Sequence, residues 1–112
     1  NGGKNICAVY AHNDDMAVGA IQAIKEAGLK PGTDIKVVSI DAVPDIFKAM
    51  AAGEANATVE LTPNMAGPAF DALDAYLKDK KEPKKWIQTE SKLYTASDDP
   101  MKVYEAKKGL GY

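Results

Sequence analysis

The amino-acid sequence predicts an α/β fold, a parallel sheet with flanking helices. Two observations carry this. Short apolar runs of strand length alternate with longer stretches of helical periodicity, the order that builds parallel sheets. Glycines stand just past several of the helical stretches and prolines just inside their starts, which is how helix ends are punctuated.

The first strand is the continuous apolar run Ile6-Cys7-Ala8-Val9-Tyr10, suited to burial on both faces, with Cys7 as a small buried hydrophobe. A helix follows from about Asp14 to Ala27. Met16, Ala20, Ile24 and Ala27, with Ala17, Ile21 and Ala23 beside them, trace its apolar stripe. Asp14 and Asp15 fall in its first turn, where acidic groups favour the positive helix end. Gly28 supplies the left-handed terminus, and Leu29 is placed to fold back on the last turn. Pro31-Gly32 is a turn, Ile35 to Ile40 a second strand, and Asp45 to Ala52 a second helix opened by Pro44 and closed by Gly53.

Ala57 to Leu61 reads as a third strand. Thr62 can cap and Pro63 open a third helix ending near Lys78, although Pro68 suggests a kink or a later start. Lys78 to Lys85 is a charged, solvated loop, and Trp86 to Tyr94 is extended. Asp99-Pro100 caps and opens a last helix that ends in Lys107-Lys108-Gly109. Three strands and one extended segment are few for an independent doubly wound sheet, which points to part of a larger fold.

The 112 residues allow one domain at most. With 14 basic and 16 acidic residues and a net charge of −2, there is no electrostatic footprint for nucleic acid or an anionic membrane. No apolar run is long enough to insert in a bilayer. The chain enters its first strand directly after Asn1-Gly2-Gly3-Lys4, so any export signal would lie upstream. A single cysteine excludes an internal disulfide and argues against a Cys-based zinc site.

Ligands of open parallel sheets bind beyond the carboxyl ends of the strands. His12-Asn13-Asp14-Asp15 and Asp41 hold such positions. Asn13 offers a donor and an acceptor and Asp41 two acceptor oxygens, a set that suits vicinal hydroxyls. Asn and Asp before a helix are more often caps, and that reading stands beside the first. His12, the only histidine, has no serine or acid arranged around it and reads as a loop residue. Gly2-Gly3 and Gly109 to Gly111 lack the strand-to-helix context of a phosphate loop. Trp86, Tyr94, Tyr104 and Tyr112 read as packing or surface aromatics, and nothing specifies a nucleophile.

Several segments together carry a resemblance. Ala11-His12-Asn13-Asp14-Asp15-Met16-Ala17-Val18-Gly19-Ala20 is similar to the Asn-Asp-x-Met-Ala-x-Gly-Ala segment of ribose-type periplasmic sugar receptors. Val37-Val38-Ser39-Ile40-Asp41, with Pro44-Asp45 after it, resembles their strand ending in Asp, and Ala57 to Gly67 resembles their hinge crossover. The Tyr10 to Met16 opening, the Glu60 to Asp71 stretch and the Gly111-Tyr112 ending resemble the galactofuranose-binding members in particular.

The resemblance implies a periplasmic receptor that closes two lobes on a monosaccharide, galactofuranose or a related aldose, and passes it to the membrane subunits of an ABC importer. It implies no enzymatic step and no cofactor or metal. Residues 1–61 would belong to the C-terminal lobe, 62–85 to the N-terminal lobe, and 86–112 would return to the C-terminal lobe. The N-terminal lobe would otherwise be absent from these residues. Asn13 and Asp41 match positions that hydrogen-bond sugar hydroxyls. Ribose receptors carry a ligand-binding Gln at the hinge, where a gapless alignment places Leu61; this departs from ribose binding and makes the adjacent Glu60 a candidate substitute. Two other readings compete. A sugar-sensing effector domain of a lac-repressor-type regulator shares the fold and the Asn-Asp motif. A phosphoacceptor receiver domain would use Asp14-Asp15 and Asp41 to hold Mg²⁺, but its paired acids normally sit at a strand tip rather than at the head of a helix.

Overall fold

The computed structural model describes residues 5–110; Gly2-Gly3 and the Gly111-Tyr112 ending lie outside the described residues. The elements run β1 (Ala8–Tyr10), α1 (Asp14–Glu26), β2 (Lys36–Asp41), α2 (Pro44–Ala51), β3 (Ala57–Glu60), α3 (Ala66–Asp79), β4 (Leu93–Thr95), a 3₁₀ turn (Ala96–Asp98) and α4 (Pro100–Lys107). They form two compact units. One runs to Leu61 and resumes at Lys92, and the other is Thr62–Ser91.

The first unit holds a four-stranded sheet in the order β1-β2-β3-β4. Its first three strands are parallel, pairing Val9 with Val37 and Ser39 with Thr58, whereas β4 is antiparallel to β3. The expected parallel sheet is therefore mixed. The chain comes back from the second unit at Lys92, whose carbonyl accepts the Glu60 N–H, and so runs down β3 in the opposite sense.

The strand period sorts side chains between the two faces. Val37, Ser39, Thr58 and Tyr94 are buried, and Val37 and Tyr94 share one core with Ala17, Ile21 and Ile24 of α1 and Ile46, Phe47 and Met50 of α2. Phe47 and Ile46 are completely buried, each contributing roughly 1.5–3 kcal/mol. The Tyr94 ring meets Phe47 edge-on, 5.1 Å between centroids, and Val103 and Tyr104 of α4 pack against the same core. The alternate positions Tyr10, Val59 and Leu93 are exposed.

Helix ends follow local chemistry. After α1, the Gly28 and Leu29 N–H groups donate back to the Lys25 and Ile24 carbonyls. After α2, Gly53 and Glu54 do the same to Met50 and Ala49. Both are Schellman closures with glycine in the left-handed region, at φ 75° in each case. Asp99 caps α4 through the Lys102 N–H, with Pro100 at its first position.

Several expectations are corrected. β1 is shorter than Ile6–Tyr10 and lies at the sheet edge, so Ile6, Cys7 and Tyr10 are exposed rather than buried. The apolar stripe of α1 runs through Ala17, Ile21 and Ile24 but not Met16, because the buried line starts at Asp14. Thr62 does not cap α3; its hydroxyl accepts from the Asn64 N–H in a local turn. The helix begins at Ala66, which places Pro68 in the first turn, where its missing N–H would have had no helical partner anyway. Of the extended stretch 86–94, only Leu93 and Tyr94 enter a strand, since β3 has just four residues to pair with. Within the second unit, α3 buries none of its residues, and Phe70, Leu73 and Leu77 are exposed along it. No helix among the described residues is long and apolar enough to cross a membrane.

Candidate functional site

The carboxyl ends of the three parallel strands bring Asn13, Asp14 and Asp15 after β1 together with Asp41 at the end of β2 and Glu60 at the end of β3. Asp41 and Glu60 are register partners, and the Leu61 N–H donates to the Asp41 carbonyl at 3.3 Å.

Asn13 is the N-cap of α1. Its backbone is extended, and its Oδ1 accepts the Met16 N–H at 2.8 Å. The capping expectation is therefore met, but the cap uses only the oxygen. The Nδ2 group has no hydrogen-bond partner among the described residues and can still donate to a ligand.

Asp41 stands on strained backbone. Its φ is 118° and that of Ala42 is 64°, two successive non-glycine residues at positive φ. Such conformations cost roughly 1–3 kcal/mol each and persist only where the surroundings enforce them. The Asp41 carboxylate accepts no hydrogen bond from another described residue. Burial, and then the charges of Asp14 and Asp15, raise its pKa from the ordinary aspartate value. It is an ionisable group short of donors.

Asp14 is the opposite case. The sequence places it in an ordinary first helical turn, yet it is completely buried. Its Oδ1 accepts from the Ser39 hydroxyl at 2.5 Å and the Thr58 hydroxyl at 2.8 Å, and its Oδ2 accepts the Val43 N–H at 2.8 Å. Thr58 in turn accepts the Ala42 N–H at 3.3 Å. One carboxylate thus joins the head of α1 to β2, to β3 and to the start of α2, where Val43 has no side-chain cap of its own. The signal for this was Ser39 and Thr58, hydroxyls inside apolar strands that need a buried partner.

Glu60 accepts from Lys107 at 2.6 Å, a largely buried ion pair that ties α4 to β3. Lys107 was read from the sequence only as part of a basic helix end. His12 is exposed, its ring tilted against Tyr10 at 5.3 Å. No group of three His, Cys, Asp or Glu residues among those described is placed to hold a metal, and Asp14 is turned into the core. That geometry removes the acidic cluster on which the receiver-domain reading depends.

The chain is similar in sequence and fold to known proteins. Residues 1–82 match the family model described as periplasmic binding protein domain. The chain is 67% identical over 112 residues to the galactofuranose-binding protein YtfQ of Escherichia coli (strain K12), covering 100% of this chain and 35% of that protein. A crystal structure of a galactofuranose-binding protein superimposes with a TM-score of 0.89 at 67% identity, covering 100% of this chain and 38% of the other. The periplasmic binding protein component of the arabinose ABC transporter from Shewanella sp. ANA-3, bound to α- and β-L-arabinofuranose, gives a TM-score of 0.87 at 56% identity, covering 96% of this chain and 35% of the other. The chain spans only about 35–38% of the length of these three relatives.

Proposed function

Because this chain belongs to the periplasmic binding protein family, we propose that it supplies the greater part of one ligand-binding lobe of a periplasmic receptor that hands a furanose sugar to an ABC importer. The observation that carries the reading is Asp41, a half-buried carboxylate on strained backbone, with two like charges nearby and no hydrogen-bond donor to it among the described residues. A sugar hydroxyl supplies the missing donor. The Nδ2 group of Asn13 gives the complementary donor to a hydroxyl oxygen, so the pair reads both faces of a diol. Glu60 stands beside Asp41 at the rim, where its charge is shared with Lys107. The reading needs no cofactor and no bond-making step.

The lobe assignment is part of the same proposal. Residues 1–61 and the returning C-terminal segment form one lobe, and the helix after Pro63 belongs to the other. Two features support it: the compact units divide at Leu61/Thr62 and Ser91/Lys92, and α3 buries none of its own apolar residues. The sugars of these relatives, galactofuranose and arabinofuranose, favour a five-membered ring.

The test is titration calorimetry on the two-lobe receptor carrying this segment, with D-galactose, L-arabinose and D-ribose as probes. Saturable binding of galactose or arabinose, weakened by Asp41→Ala and not by Asp15→Ala, supports the reading. Equal affinities for Asp41→Ala and the parent remove Asp41 from the site.

A further inference from the structure

We infer that Asp14 is a positioning residue for sugar binding: buried out of reach of any ligand, it holds the Asp41–Ala42 backbone in the conformation that presents the Asp41 carboxylate. The inference rests on the proposed binding role of Asp41 and deepens it.

Asp41 and Ala42 are two successive residues at positive φ. Nothing intrinsic to an aspartate or an alanine favours φ 118° or 64°, so this pair would relax unless held on both sides. Upstream, Ser39 is two residues before Asp41 on the same strand, and its hydroxyl donates to Asp14. Downstream, the Val43 N–H donates to the other Asp14 oxygen. Between them the Ala42 N–H donates to Thr58, whose own hydroxyl proton is committed to Asp14. The strained pair is therefore bracketed by bonds that converge on one buried carboxylate.

A merely stabilising acid would not need to engage residues on both sides of the strained pair. The same carboxylate heads α1, directly after Asn13, so it also sets the distance between the two proposed sugar-binding side chains.

The experiment uses the two-lobe receptor with D-galactose and L-arabinose as probes. Affinities are taken by calorimetry at a temperature where circular dichroism shows every variant folded. Asp14→Asn should weaken binding by at least about tenfold, whereas Asp15→Asn, its exposed neighbour of equal charge, should stay within about twofold of the parent. Ala42→Gly introduced into Asp14→Asn should recover part of the loss, because glycine adopts positive φ without penalty and removes the drive to relax. Global destabilisation alone would not produce that recovery at a temperature where all variants are folded. If Asp14→Asn does not fold, Thr58→Val carries the same test, since it deletes one hydroxyl of the bracket at nearly constant shape. Unchanged affinity in the folded variant, or a loss that Ala42→Gly fails to recover, overturns the inference. Asp41→Ala is measured in parallel: if it too leaves affinity unchanged, the binding-site reading itself has failed, and if it alone weakens binding, only the role of Asp14 has.

Discussion

Replacing Asp41 by asparagine is expected to move affinity and stability in opposite directions. The side chain keeps its size and suits positive φ at least as well as aspartate. What it loses is the charge. Charge-assisted hydrogen bonds contribute about 1.5–3 kcal/mol each, against about 0.5–1.5 for neutral ones. An asparagine facing one or two hydroxyls should therefore forfeit roughly 1–3 kcal/mol, about a five- to hundredfold loss of sugar affinity. Stability follows the raised pKa of Asp41, caused first by burial and then by Asp14 and Asp15. A raised carboxyl pKa means that the folded state holds the proton more tightly than the unfolded chain does. Below the unfolded value of about 3.9 the group is protonated in both states; as pH rises through the folded pKa its ionisation costs stability, and the cost is complete at neutral pH. Asp41→Asn removes that cost, so Tm at pH 7 should rise, and the difference from the parent should shrink as pH falls toward about 3.9. Thermal melts across pH, paired with calorimetry at pH 7, read both effects. A lower Tm together with unchanged affinity would refute the reasoning, because Asp41 would then be a structural residue already supplied with donors.

Other outcomes follow from the packing. A Cβ on Gly32 would lie 2.1 Å from the Gly53 carbonyl oxygen, at φ +74°, whereas one on Gly28 meets nothing within 4 Å at φ +75°. Urea unfolding should therefore show Gly32→Ala losing clearly more than the roughly 1–2 kcal/mol of backbone strain that Gly28→Ala costs; equal losses would mean that the loop yields freely. Lys107→Met keeps the stem of the side chain but removes the cation from the Glu60 pair, and should destabilise by about 1–3 kcal/mol, with Glu60→Gln in the same background recovering part of it. Asp98 accepts the Thr95 N–H and hydroxyl, and these bonds, with Lys92 nearby, lower its pKa. A depressed carboxyl contributes stability above its unfolded pKa and loses it as pH falls through the folded value, so Asp98→Ala should flatten the acid limb of a Tm-against-pH curve. An unchanged acid limb would assign that slope to other groups.

Much of the fold was legible because its local chemistry is explicit. Gly28 and Gly53 close helices, Pro44 and Asp99-Pro100 open them, and the strands between are apolar. Asn13 and Asp41 were legible as strand-end polar residues before helices. The rest depends on packing that no local pattern encodes. An acid at the head of a helix reads the same whether it faces water or, like Asp14, two hydroxyls from neighbouring strands. The run Ile6 to Tyr10 signals burial through its apolarity, but burial requires neighbours on both sides, and among the described residues it pairs with β2 alone. Positive φ at Asp41 and Ala42 left no trace in sequence, since neither residue is glycine.

The most direct measurement is the crystal structure of the two-lobe receptor with D-galactose or L-arabinose bound. A furanose ring should be closed between the lobes, with one or two hydroxyls about 2.5–2.8 Å from the Asp41 carboxylate and a ring or hydroxyl oxygen about 2.8–3.2 Å from Asn13 Nδ2. Asp14 should be unchanged beneath them, still bonded to Ser39, Thr58 and Val43. A sugar bound elsewhere, with the Asp41 carboxylate left in solvent, would contradict the binding role of Asp41.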